Sequence, residues 1–132
     1  MIFYNHIRPG DALRMKCGGL FWRGKDSYLR VPITKMRHRD DELTATCFPE
    51  AEVALNAYIE KAGLASDLQG PLFRAFDKTG KITSNPLSAR AAHFFINQRA
   101  RRAGIEREIS LHEFRVAGTQ LLKEQVSSDL LI

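Results

Sequence analysis

The 132-residue chain lacks any run approaching the ~20 consecutive apolar residues of a membrane-crossing helix. Its opening, MIFYNHIRPG, lacks the apolar centre of a secretory signal. A cytoplasmic protein with no membrane partner is therefore expected. Cysteine is scarce: Cys17 and Cys47 stand alone, with no Cys-x-x-Cys pair and no histidine spaced to complete a zinc site. Free thiols, no metal centre and no cofactor follow as expectations. Tyrosine is scarce too, and Tyr4, Tyr28 and Tyr58 all lie in the first half. Internal repeats and low-complexity tracts are missing as well, and with 44% hydrophobic and 27% charged residues the composition is that of one ordered domain over residues 1–132.

The charge that is present is unevenly spread. Residues 1–39 hold nine Lys or Arg against Asp11 and Asp26, for +7. Residues 40–73 hold Lys61 against seven acids, for −6, and residues 74–132 return +4, which makes the total +5. Such segregation gives a basic face and an acidic one, and a basic face attracts phosphate polyanions.

Hydrophobic spacing outlines an α+β fold. Pro9, with Asp11 in the first turn and Gly18-Gly19 beyond, predicts a helix to about Lys16. Phe21-Trp22-Arg23, Ser27 to Val31 and Leu43 to Phe48 predict a small three-stranded antiparallel sheet, with Phe21 and Trp22 in its core and a polar loop over residues 35–41. From Pro49, the residues Val53, Leu55, Tyr58, Ile59 and Ala62 recur near helical spacing, and Gly63 ends that helix. Leu64 to Gly80 reads as a connection containing the apolar run Pro71-Leu72-Phe73. Ser88 then caps a helix to Ala103 that turns Ala92, Phe95, Ile96 and Ala100 inward. Ser110-Leu111-His112-Glu113 has the form of a capping box before Phe114, Ala117, Leu121 and Leu122. The apolar end, Val126 to Ile132, has no evident partner and is expected to join a homo-oligomer.

His112-Glu113-Phe114-Arg115 resembles the His-x-x-Arg box of tyrosine recombinases, the phage-integrase family that cuts and rejoins DNA. Ala100 to Ile105 ahead of it, Pro71-Leu72-Phe73 and Pro86-Leu87-Ser88 resemble segments that precede this box in bacterial integrases. Arg8-Pro9-Gly10-Asp11 is similar to the family's first active-site arginine, with an acid three residues later. Lys35 stands where the family keeps a catalytic lysine, although Lys35-Met36-Arg37-His38-Arg39 departs from the usual glycine-containing turn. The resemblance runs from about Ile7 to about Leu122 and implies a mainly helical catalytic domain carrying the small sheet.

It also implies roles. A scissile phosphate gains negative charge as an oxygen attacks it, and the planar, permanently charged forks of Arg8 and Arg115 suit its non-bridging oxygens. His112, at the mouth of its helix, donates a further bond, and Lys35 protonates the departing oxygen. Arg37 and Arg39 are DNA-binding candidates that compete with Lys35 for the same phosphate. Read without the resemblance, Arg8 is a surface arginine ahead of a helix, His112 a first-turn residue and Lys35 a loop charge.

The family's nucleophile, a tyrosine well downstream of the second arginine, has no counterpart among the seventeen residues after Arg115. The expectation is a truncated recombinase catalytic domain, derived from a mobile element, that binds double-stranded DNA weakly through phosphates and does not cleave it alone. The alternative is a non-catalytic DNA-binding or dimerising accessory on the same scaffold.

Overall fold

The computed structural model describes residues 5–34 and 41–130. Pro9 opens helix α1 (Pro9–Leu13), since its fixed φ suits a first helical position. The helix stops short of Lys16 because another segment claims the backbone that follows. Cys17 N–H donates to Gly70 O and Gly18 N–H to Leu68 O, while Leu72 N–H donates to Met15 O, all at 2.9 Å. These bonds draw the chain through a 3-10 turn, Cys17–Gly19, and into the sheet.

Strands β1 (Leu20–Arg23), β2 (Asp26–Pro32) and β3 (Glu42–Thr46) form the antiparallel sheet that the sequence predicts, in the order β1-β2-β3. Leu29 pairs with Leu20 on one side and Ala45 on the other, and Val31 pairs with Leu43. Alternation along a strand thus sends Leu29 and Val31 into the core and Tyr28 and Arg30 to the opposite face. There Phe21 and Tyr28 stack with centroids 5.8 Å apart, and the Arg30 guanidinium covers Phe21 at 4.8 Å. The expectation of a core position for Phe21 and Trp22 is corrected: Phe21 is half-buried under arginine, and Trp22, opposite Ser27 near the turn, is 48% exposed.

Helix α2 (Pro49–Ala62) ends as the sequence predicts, at Gly63 with φ 66°. This left-handed conformation is one that glycine adopts without a Cβ penalty. Its inward stripe is Ala51, Leu55, Tyr58 and Ile59, whereas Val53 is 70% exposed. The core lies between this stripe and the sheet, where Met15, Leu29 and Leu72 are fully enclosed.

The connection from Leu64 to Gly80 is not structureless. It leads into a second antiparallel pair, β4 (Arg74–Phe76) and β5 (Ile82–Pro86). Between them Asp77 Oδ1 accepts from Thr79 N, Thr79 Oγ1 and Lys81 N, and these bonds hold its carboxyl below the usual carboxylate range. Arg74 is buried, donating to Asp67 Oδ2 at 2.6 Å and to Pro71 O at 2.8 Å. The Asp67 bond holds Arg74 above the ordinary arginine range. A Cβ at Gly70 would collide with both members of this pair, which explains the glycine.

Helix α3 (Ala89–Arg102) starts where Ser88 Oγ accepts from Ala91 N at 3.1 Å. Ala92 and Ala100 face inward as predicted, but Asn97 is buried on that face and Phe95 is 38% exposed. Phe76, Phe94 and Phe95 instead form an exposed cluster of edge-on rings. Helix α4 (Leu111–Leu130) begins at the predicted residue. Only half of the capping box forms: Glu113 N–H donates to Ser110 Oγ, while the Glu113 carboxylate turns to Arg107 at 2.9 Å. Val116, Leu121, Leu122 and Val126 on α4 are exposed, so Leu121 and Leu122 do not take the core positions that their spacing suggests. Cys17 and Cys47 are both free and buried. No helix among the described residues is long and apolar enough to cross a membrane.

Candidate functional site

Arg8 sits at the N-cap of α1, where its backbone is extended and its carbonyl receives the first helical bond, from Ala12 N at 3.0 Å. One turn into the helix, Asp11 is buried and accepts from Thr34 Oγ1 at 2.7 Å and from Thr34 N at 3.3 Å. The acid three residues after Arg8 thus anchors α1 to the end of β2, immediately before Lys35 in sequence. Lys35, Arg37 and Arg39 fall outside the described residues.

Arg115 projects from the second turn of α4, and its Nε donates to the carbonyl of His6 at 2.7 Å. This bond joins α4 to the segment that carries Arg8, across 109 residues of sequence. Arg8 and Arg115 line one cleft of about 300 Å³, together with His6, Ile7, Asp11, Val31, Ile33 and Leu43. Arg115 also lines an adjoining cleft with His112, Thr119 and Lys123. Helical spacing accounts for that second grouping, because residues three and four apart share a face. Among the described residues no side-chain partner occupies Arg8, His112 or the Nη groups of Arg115. Two guanidiniums around one concave space, with an imidazole beside them, can hold a tetrahedral oxyanion by several charge-assisted bonds.

The tyrosines are engaged elsewhere. Tyr28 stacks on Phe21 beneath Arg23, on the sheet face opposite the side chain of Val31 that lines the cleft. Tyr58 stacks on Phe73 at 6.1 Å, and burial pushes its hydroxyl above the usual phenol range. Tyr4 lies outside the described residues. No group of three His, Cys, Asp or Glu side chains among the described residues could hold a metal ion.

Two side chains of structural weight escaped the sequence reading. His6 meets both Arg115 and Thr119. Asn97 bonds the backbone of Ile109 through both ends of its amide, and so fixes the segment that leads into α4. A polar residue on the inward face of an otherwise amphipathic helix was the signal for Asn97. His6 left none, since its conformation is set by partners distant in sequence.

Neither a family model nor a curated protein matches the sequence. Solved structures do match the fold. The chain is similar to XerH site-specific recombinase bound to difH substrate in a pre-cleavage complex, with 19% identity and a TM-score of 0.66. It is similar also to XerH bound to palindromic difH substrate in a post-cleavage complex, with 14% identity and a TM-score of 0.64. In each case the match covers 94% of this chain and 33% of the recombinase chain, so the sequence spans about a third of the length of these proteins. Together with the order of its elements, this likeness gives the chain a tyrosine-recombinase-like fold.

Proposed function

We propose that this chain is the phosphate-gripping portion of a tyrosine-recombinase catalytic domain, that it forms one domain, and that it binds double-stranded DNA without cutting it. The observation that carries the reading is the cleft shared by Arg8 and Arg115, two arginines 107 positions apart that the His112 box and the Arg8 motif single out independently. Under this reading the two guanidiniums bind the non-bridging oxygens, and His112 adds a donor from the adjoining cleft. Lys35, next in sequence to the Thr34 that Asp11 holds, serves as the proton donor to a leaving oxygen, and Arg37 and Arg39 add backbone contacts. The XerH structures, bound to their difH substrate, support DNA as the partner class.

Under the same reading no attacking group stands beside the phosphate among the described residues. A phosphoryl-transfer intermediate needs a hydroxyl beside the phosphate, and neither Tyr28 on the outer sheet face nor the stacked Tyr58 lines the cleft. Fluorescence anisotropy on labelled duplex DNA tests binding. Arg8→Ala and Arg115→Ala are each expected to weaken it by about 1 kcal/mol or a little more, with the fold retained. Affinity unchanged from that of the unmodified chain in both variants would remove the site. A nicked suicide duplex tests inactivity, and recovery of a covalent protein–DNA adduct from the 132-residue chain would overturn that half of the proposal.

The exposed Leu121, Leu122 and Val126 on α4 favour self-association as the accessory role of this scaffold. Sedimentation is then expected to show a concentration-dependent dimer that Leu122→Glu abolishes; a monomer throughout would exclude it.

A further inference from the structure

His6 is the non-glycine residue with positive φ among the described residues, at 55°. An L-residue in that region is strained, so the bonds that hold it there indicate what the conformation achieves. Its carbonyl accepts from Arg115 Nε at 2.7 Å, and its Nδ1 lies 3.2 Å from Thr119 Oγ1. Thr119 has a single hydroxyl proton, which it donates to the carbonyl of Arg115 one turn earlier at 2.9 Å. Its oxygen therefore accepts from the imidazole, and the ring proton resides on Nδ1. Nε2 is left without a partner among the described residues, on a residue that lines the cleft of Arg8 and Arg115.

We propose that His6 is a third anion-contacting residue of this cleft, with Nε2 donating to a bound phosphate oxygen once the ring is protonated. The inference rests on the phosphate-site reading above and deepens it. Among the described residues, the charged groups that line the cleft with His6 are Arg8 and Asp11 on the α1 side and Arg115 on α4; Val31 of β2, Ile33 just beyond that strand and Leu43 of β3 are apolar. A phosphate seated between the guanidiniums offsets their positive charge and offers the imidazole an anion to protonate against. The proton is taken from solvent, and no bond in the DNA changes. Binding of DNA and of that proton then reinforce each other, so affinity rises as pH falls.

The test compares duplex-DNA affinity at about pH 8 and about pH 5.5 at fixed salt, the interval over which histidines change charge. For the unmodified chain the affinity at the lower pH is expected to be roughly tenfold higher, the scale of one charge-assisted bond. His6→Asn accepts a left-handed backbone and can still donate to Thr119, but cannot take up a proton. Its gain on acidification is expected to fall several-fold below that of the unmodified chain. His6→Gly keeps the carbonyl for Arg115 and relieves the backbone strain, and it too is expected to lose the gain while its melting temperature holds within a few degrees. His6→Asn showing the full tenfold gain would overturn the proposal and move the response to another group, His112 first. Salt-sensitive binding with that outcome would leave the phosphate site standing, whereas no DNA binding by the unmodified chain at either pH would overturn both.

Discussion

Raising the monovalent salt from about 50 to about 200 mM should weaken the binding of this chain to duplex DNA about 40-fold. The figure follows from counterion release: each phosphate neutralised contributes about −0.9 to the slope of log affinity against log salt. Three neutralised phosphates, one held in the cleft of Arg8 and Arg115 and one each at Arg37 and Arg39, give a slope of about −2.7, and a fourfold rise in salt then costs roughly 40-fold. The loss should depend little on base sequence, because contacts to phosphate carry register and no base identity. Arg37→Ala or Arg39→Ala should each lower the slope by about one, since each deletes one phosphate contact and leaves the others. A binding curve insensitive to salt would mean that the cleft does not take DNA phosphates, and the basic segment of residues 1–39 would then serve another purpose.

The cleft could be read from the sequence to the extent that its residues come as local patterns. Arg8-Pro9-Gly10-Asp11 and the His112 box each lie within four positions, and each carries its own helix start, so motif and secondary structure reinforce each other. The three strands and the ends of α2 and α3 were legible for the same reason: Gly63, Ser88 and the alternating β2 residues act on their immediate neighbours. What stayed hidden depends on distant partners. β4 has three residues and β5 is largely polar, too short and too mixed for any period to emerge. Arg74 reads as a loop charge until Asp67 and the carbonyl of Pro71 close around it. Trp22 has the chemistry of a core residue but lies next to the β1–β2 turn, where it stays 48% exposed. His6 takes a conformation that its own chemistry disfavours, because Arg115 and Thr119 claim its carbonyl and its ring.

Asn97→Ala should destabilise the domain by about 3 kcal/mol and lower its melting temperature by about 10 °C. Asn97 is buried in α3, and its Nδ2 donates to Ile109 O at 2.8 Å and to His93 O at 3.0 Å, while Oδ1 accepts from Ile109 N at 2.7 Å. Alanine removes all three bonds and leaves the half-buried N–H and C=O of Ile109 unpaired, each costing roughly 1–3 kcal/mol unless the segment opens to water. Opening is the cheaper response, because α4 exposes so much of its apolar side and has few other ties to the domain. Ile109 directly precedes the Ser110 cap, so the start of α4 should fray first, taking His112 and Arg115 with it. Amide exchange over residues 109–115 is therefore expected to quicken while α2 keeps its protection, and DNA affinity should fall although Asn97 lines neither cleft of the arginine site. The exposed neighbour Arg101, changed to alanine, provides the comparison and should shift stability by about 0.5 kcal/mol or less. An Asn97→Ala variant that melts with the unmodified chain, its α4 amides equally protected, would show that the helix bearing the His112 box is held by its packing and not by this amide.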